Sequence, residues 1–320
     1  MTLDADILIL SDGKMGDLAQ CRGVAHHLAA PGRVREHVVK PTGFWALPVP
    51  FMPVAPLERR SSIFEAPLPD IVIASGRRTI AHMRAFSKMR ERPFTVFLKD
   101  PRQGRNLFDF IWAPEHDELA GANVMTTLTS PHTLSSQRLM QVRAEVSERL
   151  SLSAPVTGIV LGGDTAGVQW TDSAAVQFAL TAKNIVADST PIVVSSRRTP
   201  DCLVSALDTA FPDAIWPERA GFEEPYLTTL AVSDGLIVTG DSHNMVSEAL
   251  ATSAAVYVFR PQGLRPKLSR FLDAALDQGH IVELSDAMHA GSAASSREPL
   301  NATPAIAAEI EGRFLASQPS

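Results

Sequence analysis

Cysteine is nearly absent from this chain. With two in 320 residues, Cys21 and Cys202, both inside helical patterns, it offers neither a disulfide framework nor a zinc cluster. Long apolar runs are missing too, and none approaches the roughly 20 residues a bilayer span needs. The N-terminal MTLDADILIL has no basic segment ahead of its short apolar run, so it reads as a strand and not as a signal peptide, and the expected location is the cytoplasm. Positive charge is in deficit: 29 Lys and Arg stand against 35 Asp and Glu, a net charge of −6. That balance argues against nucleic acid and against broad attraction to anionic membranes, while a local basic pocket stays open.

Several catalytic signatures are also missing. No Gly-x-Gly-x-x-Gly follows the first strand and no Tyr-x-x-x-Lys pair occurs, so an epimerase reaction is not supported. There is no Gly-Lys-Ser/Thr P-loop and no Gly-x-Ser-x-Gly elbow. A metal-using transferase needs an Asp-x-Asp after a strand. The only one here, Asp4-Ala5-Asp6, precedes the first strand, so no metal site and no cofactor is expected.

What is present is an ordinary globular balance, 45% apolar and 20% charged, in a chain long enough for two domains. Short β-type runs alternate with helical patterns, which means parallel sheets with right-handed crossovers. Strands are expected at Ile7–Leu10, Val34–Lys40, Ile71–Ala74, Phe94–Leu98, Phe110–Ala113 and Val124–Thr126, with helices at Asp17–Ala29 and Thr79–Met89. Ser130 to Ser153 reads as a linker with one polar helix, Ser136–Leu150. A second run follows, with strands at Val156–Leu161, Ile192–Val194, Ala214–Trp216, Gly235–Val238, Val256–Phe259 and Ile281–Leu284. Its helices are Ala174–Val186, Thr199–Ala210, Tyr226–Val232, the stretch after Ser242, and Leu268–Leu276.

The fold class is therefore α/β, with two Rossmann-like domains. Residues 1–135 form the first, 136–153 a linker helix and 154–300 the second, while 301–320 hold a terminal helix free to pack back on the first. Pro41–Leu57 is apolar but broken by five prolines. It reads as a loop packed over the core, with peripheral membrane contact as the alternative.

The stretch Asp234–Glu248, DGLIVTGDSHNMVSE, is the most informative. A buried-strand pattern runs into Thr239-Gly240-Asp241-Ser242, where glycine permits a tight turn and Asp or Ser can cap the helix that follows. Strand, small polar turn and helix start make an anion site from backbone N–H groups and the helix dipole. Glu248 adds an acceptor for a ribose hydroxyl pair. Gly162-Gly163-Asp164-Thr165 follows the strand at Val156–Leu161 in the same manner.

An internal echo supports the two-domain reading. Ser75-Gly76-Arg77-Arg78-Thr79 follows a strand and opens a helix, and Ser195-Ser196-Arg197-Arg198-Thr199 does so 120 residues later. Paired arginines before a helix-capping threonine suit phosphate or carboxylate, because guanidinium binds planar oxyanions bidentately. Two solvated surface arginines are the plainer alternative in each case.

Taken together, SDGKMG (Ser11–Gly16), SGRRT (Ser75–Thr79), KDPR (Lys99–Arg102), PEHD (Pro114–Asp117), LGGD (Leu161–Asp164), SSRRTP (Ser195–Pro200) and TGDSHNMVSEA (Thr239–Ala249) resemble the mitochondrial fission "elongated mitochondria" family. Its bacterial members are often labelled nucleoside-diphosphate-sugar epimerase-like. The resemblance runs from about Ile7 to Phe259 and implies a glycosyltransferase of the GT-B type, with two parallel sheets facing across a cleft.

The resemblance also implies roles. The second half holds a nucleoside-diphosphate sugar: Ser242, Asn244, Met245 and Glu248 match the donor pattern, with Glu248 on the ribose. Arg197 or Arg198, beside Gly162, Gly163, Thr199, Thr239 and Asp241, neutralises the diphosphate in place of a metal. Arg198 and Glu248 are expected to bind one nucleotide together. The first half supplies an acceptor-side loop of Asp12, Gly13, Lys14 and Gly16, to which the echo adds Arg77 and Arg78. In such transfer a base takes the acceptor's proton, and the candidates are Asp12, Asp17, His116 and Asp117. The expected function is metal-independent transfer of a sugar to an unknown acceptor. A non-catalytic nucleotide-binding or scaffolding module of the fission family is the alternative, and a sugar-phosphate or nucleotide enzyme of another reaction type the third reading.

Overall fold

Strand β1 (Ile7–Ser11) shows why the first sheet is buried on both faces. Ile7 and Ile9 point to one side, Leu8 and Leu10 to the other, and all are at most 2% exposed. Side chains alternate across a strand, so an unbroken apolar run must be covered twice. The same alternation recurs in β3 (Ile71–Ser75) and β4 (Phe94–Leu98). Ile71, Ile73, Val96 and Leu98 join one core cluster, while Val72, Ala74 and Phe97 join the other.

The structure is a computed structural model describing residues 3–318 except 42, 47–52, 153–154, 187–188 and 288–296. Thr42 and residues 47–52, the heart of the proline-broken stretch read as a loop or membrane-touching flap, lie outside the described residues. Among the described residues no helix is long and apolar enough to cross a membrane.

The chain divides into two compact units, Met1–Thr133 with Ala302–Ser320, and Leu134–Asn301. After β1 the first unit continues with α1 (Met15–Leu28), β2 (Val34–Val38), β3, α2 (Ile80–Phe86), β4, β5 (Phe110–Pro114) and β6 (Val124–Thr127). Its sheet is parallel throughout, in the order β2-β1-β3-β4-β5-β6.

The second unit contains α3 (Ser136–Leu150), β7 (Val156–Val160), α4 (Asp172–Val186), β8 (Thr190–Val194), α5 (Asp201–Ala210), α6 (Pro225–Val232) and β9 (Gly235–Thr239). It ends with α7 (His243–Leu250), β10 (Ala255–Phe259), α8 (Pro266–Asp277), β11 (Val282–Glu283) and α9 (Leu284–Ala287). The order of its parallel sheet is β11-β10-β9-β7-β8. Both units are thus Rossmann-like.

The terminal helix α10 (Thr303–Ser317) belongs to the first unit. Its Ile306, Ile310 and Phe314 enter the cluster that also holds Leu18, Cys21 and Val24 of α1. Helix α3, read from sequence as a linker, carries an apolar stripe. Val142 and Val146 pack with Ala231 and Val232 of α6, so it is part of the second unit's core.

Three local expectations need correction. Thr199 does not cap a helix: α5 starts at Asp201 with Pro200 in the cap position. The Thr199 hydroxyl instead donates to the Gly162 carbonyl at 2.5 Å, a tertiary partner that outcompetes the local one. Ala214–Trp216 forms no strand, only a bridge between Ile215 and Ile192, because Pro212 and Pro217 interrupt the N–H pattern a ladder needs. The helix expected over Thr79–Met89 is a 3-10 turn, Arg77–Thr79, followed by the shorter α2.

Candidate functional site

In the second unit β9, β7 and β8 are neighbours and parallel, so the loops after them emerge at one sheet edge. Asp241 ties the three together. Its carboxylate is fully buried and accepts from the Thr239 hydroxyl at 2.7 Å, the Gly163 N–H at 3.1 Å and Arg198 Nη2 at 3.1 Å. Thr239 in turn accepts from the Gly162 N–H at 2.7 Å. Arg198 Nη1 donates to the carbonyls of Gly163 and Asp164 at 3.3 and 3.1 Å.

The glycines are needed for this closeness. A Cβ at Gly162 would lie 2.0 Å from Asp241 Oδ1, and one at Gly163 would lie 1.9 Å from the Arg198 carbonyl. Their N–H groups are already used inside the loop, as is the Asp241 carboxylate, so these residues build the edge. Arg198 braces the edge as well. Its neighbour Arg197 is exposed and makes no ion pair or hydrogen bond among the described residues.

Ser242 caps α7, its hydroxyl accepting from the Met245 N–H at 3.4 Å. Asn244 and Met245, in the first turn, are partly exposed. The rings of His243 and Phe271 of α8 meet edge to face with centroids 4.3 Å apart, which gives His243 a packing role. Glu248, a turn and a half further on, accepts from the Tyr226 hydroxyl at 2.7 Å through Oε2, and Oε1 has no hydrogen-bond partner among the described residues. Burial pushes Glu248 up to about 7, with the Tyr226 bond pulling the other way. Burial, then the neighbouring Glu248, raises Tyr226 well above its usual value.

Tyr226 was not anticipated from sequence. It sits in α6, 22 residues from Glu248, and nothing local in either helix announces the bond. Arg297 is a second omission. Its guanidinium donates to the carbonyls of Ala249, Leu250 and Thr252 at the end of α7, as cations do at helix C-termini. Burial lowers it to about 10.

In the first unit, β1, β3, β4 and β5 are successive strands whose ends share one edge. Asp12 follows β1 with its side chain 3% exposed. Oδ2 accepts from Lys14 Nζ at 3.0 Å, while Oδ1 is buried with no partner among the described residues. The carboxyl packs against Gly76 after β3, where an added Cβ would lie 2.6 Å from Asp12 Cγ. Gly76 and Gly13 hold φ of +92° and +87°, a region glycine reaches without strain. Gly16 opens α1.

Asp17 is paired with Lys99 Nζ, a residue that itself holds a strained φ of 96° at the end of β4. Burial, with Asp17 adding to it, raises the Cys21 thiol far above its usual value, so that thiol is inert. His116 and Asp117 share a 3-10 turn after β5, with Nε2 and Oδ1 3.9 Å apart. Arg77 and Arg78 are exposed and unpaired among the described residues. Among those residues no group of His, Cys, Asp and Glu has the makings of a metal site.

Comparison with known proteins places this architecture. UDP-GlcNAc 2-epimerase from Neisseria meningitidis, solved bound to UDP-GlcNAc, superimposes with a TM-score of 0.55 at 12% identity, covering 98% of this chain and 100% of that one. A UDP-glucosyltransferase from Polygonum tinctorium gives a TM-score of 0.51 at 11% identity over 99% and 95% of the two chains. At such identities the likeness is one of fold, the GT-B type. "Mitochondrial fission protein ELM1" of Arabidopsis thaliana is 25% identical over 283 residues, 79% of this chain. The match spans 66% of that relative's length. The family model Mitochondrial fission ELM1 matches residues 15–314. On that match over nearly its whole length, the chain belongs to the mitochondrial fission ELM1 family.

Proposed function

We propose that the chain is a metal-independent, GT-B-type glycosyltransferase-like protein that binds a nucleoside-diphosphate sugar on its second unit and passes the sugar to an acceptor bound by the first. The observation that supports this most is the arrangement after β9 and β8. Glu248 is held by one oxygen with the other open, and Arg197 stands unpaired at the neighbouring loop. An open carboxylate oxygen suits a ribose hydroxyl, and a free guanidinium suits a diphosphate. Glu248 lies six residues past Ser242, roughly 9 Å of helix rise, about the span from diphosphate to ribose.

In the transfer, the C1–O bond to the diphosphate breaks and its electron pair stays on the diphosphate, while the acceptor oxygen bonds C1 and loses its proton to a base. Positive charge fixed beside the leaving group lowers the barrier. Of the four candidate bases Asp17 is committed to Lys99, whereas Asp12 has one oxygen buried and unpaired among the described residues, and His116 and Asp117 stand in the turn after β5.

Calorimetric titration with UDP, GDP and ADP tests the donor site. Arg197→Ala is expected to weaken diphosphate binding about tenfold or more, since a hydrogen bond to a charged group contributes roughly 1.5–3 kcal/mol. Thermal unfolding should not move, because Arg197 is exposed and makes no hydrogen bond or ion pair among the described residues. Arg198→Ala is expected to lower both affinity and stability, because Arg198 holds the loop. If none of the three nucleotides binds, the reading is wrong.

A pH dependence follows from Glu248. Its folded value of about 7 lies above the ordinary 4.5, so between those values the folded chain binds more protons than the unfolded one. This contribution to stability is present at low pH and is lost as pH rises through about 7. Glu248→Gln should therefore flatten that decline, seen as the wild-type-minus-variant difference in Tm across the window. In the same window nucleotide affinity should rise with pH, because only the ionised carboxylate is purely an acceptor. Identical pH profiles for wild type and Glu248→Gln would remove Glu248 from this role.

Family membership supports one other reading, a nucleotide-binding module of organelle division without turnover. Tight binding of a nucleotide sugar with no release of nucleoside diphosphate, with or without acceptors, would favour it.

A further inference from the structure

The two sheet edges contain the same device in two states. In each, a buried aspartate at the end of one strand presses its carboxyl on a glycine at the end of the next, Asp241 on Gly162 and Asp12 on Gly76. Asp241 is satisfied by protein donors on both oxygens. Asp12 is not. Its Oδ2 has Lys14, and its Oδ1 is buried with no donor among the described residues. Leaving a buried carboxylate oxygen unpaired costs stability, so such a group is kept where a ligand supplies the missing donor.

What that ligand carries is indicated next door. Arg77 and Arg78 follow Gly76 directly, both exposed and unpaired among the described residues. The nearby acids are committed elsewhere: Asp12 to Lys14, Asp17 to Lys99 and Asp100 to Arg105. The acidic turn Glu115–Asp117 follows β5, two strands away from β3. Two exposed, unpaired arginines therefore directly follow the glycine on which the Asp12 carboxyl packs, in a chain of net charge −6.

The geometry points to a binding site for a hydroxyl-bearing phosphate ester at the β1–β3 edge of the first unit, with Asp12 Oδ1 accepting from a hydroxyl and Arg77 and Arg78 holding the phosphate. This deepens the transferase reading by giving the acceptor a chemical class, and it stands or falls separately from the donor site. The same chemistry is offered by a soluble polyol phosphate and by a phospholipid headgroup.

The test is calorimetric titration of the full chain carrying Arg197→Ala, which removes the exposed, unpaired arginine assigned to the donor diphosphate. The probes are myo-inositol 1-phosphate and inorganic phosphate, with sedimentation on phosphatidylcholine vesicles with and without phosphatidylinositol as the lipid arm. Saturable binding of inositol 1-phosphate is expected, tighter than that of inorganic phosphate. Arg77→Ala/Arg78→Ala should weaken both phosphates about tenfold or more. The isosteric Asp12→Asn should weaken inositol 1-phosphate and leave inorganic phosphate unchanged.

Binding only to vesicles that contain phosphatidylinositol, lost in the double arginine variant, identifies the lipid source and supports the site. No saturable binding of either inositol-bearing probe, or unchanged affinity in either variant, overturns it. UDP binding to the otherwise unaltered chain is measured alongside. If UDP binds and the inositol probes do not, only the acceptor-side inference fails. If the inositol probes bind and UDP does not, only the donor reading fails.

Discussion

Gly163→Ala is expected to be among the most destabilising single substitutions in this protein. Gly163 has no unusual φ, so the reason is space alone. An added Cβ would sit 1.9 Å from the Arg198 carbonyl oxygen and 2.6 Å from the Thr199 nitrogen. Both are backbone atoms, so no rotamer change relieves the contact and the loops after β7 and β8 must part. Parting them breaks the Asp164 N–H bond to the Arg198 carbonyl and withdraws Arg198 from the Gly163 and Asp164 carbonyls. Overpacking of this severity costs about 3–5 kcal/mol, at or above the upper end for such changes. The expected fall in Tm is about 10 °C for a unit of this size. Gly312→Ala is the matched control: it sits exposed in α10 with nothing within 4 Å of an added Cβ. There alanine should stabilise by about 0.5–1 kcal/mol through helix propensity. A Gly163→Ala chain melting within a degree or two of wild type would show that the loops are not packed as described.

The second large effect is expected at Asp241. Asp241→Ala removes the acceptor shared by Thr239, Gly163 and Arg198. The Gly163 N–H and the Thr239 hydroxyl are then left buried without their partner. Arg198 suffers less, because its side chain is 41% exposed and water replaces part of what it loses. Weighing buried orphans against a hydrated guanidinium gives a cost of about 2–4 kcal/mol. Nucleotide affinity should fall with it, since the loop bearing Arg197 loses its anchor. Asp241→Asn keeps the shape and one acceptor, and should recover part of the stability. Denaturant unfolding of the three chains decides it, and equal midpoints for Asp241→Ala and wild type would contradict the network.

The division between legible and illegible follows the range of the interactions. β1, β3 and β4 were readable because a doubly covered strand is apolar at every position. The Ser242 cap and the start of α7 were readable because they depend on residues three apart. Thr199 was misread for the complementary reason: a helix-capping residue type beside a helix is a local signal, and the Gly162 carbonyl took its hydroxyl from 37 positions away. Tyr226 on Glu248, Arg198 on Asp241 and Arg297 on the end of α7 are separated by 22, 43 and 47 positions. No period or spacing encodes such pairs.

By itself, then, the amino-acid order determined the α/β class, the two runs of parallel strands and the edges where charged and small polar residues collect. Those features are written in side-chain alternation and turn chemistry, which act within a few residues. Only the tertiary structure decided which of those charged residues are committed. Strand order brings β9, β7 and β8 side by side, so Asp241 closes on Arg198 and leaves Arg197 open. It brings β1 beside β3, so Asp12 lies against Gly76 with one oxygen unfilled. Paired arginines look alike in sequence, and their difference arises from the neighbours that sheet register supplies.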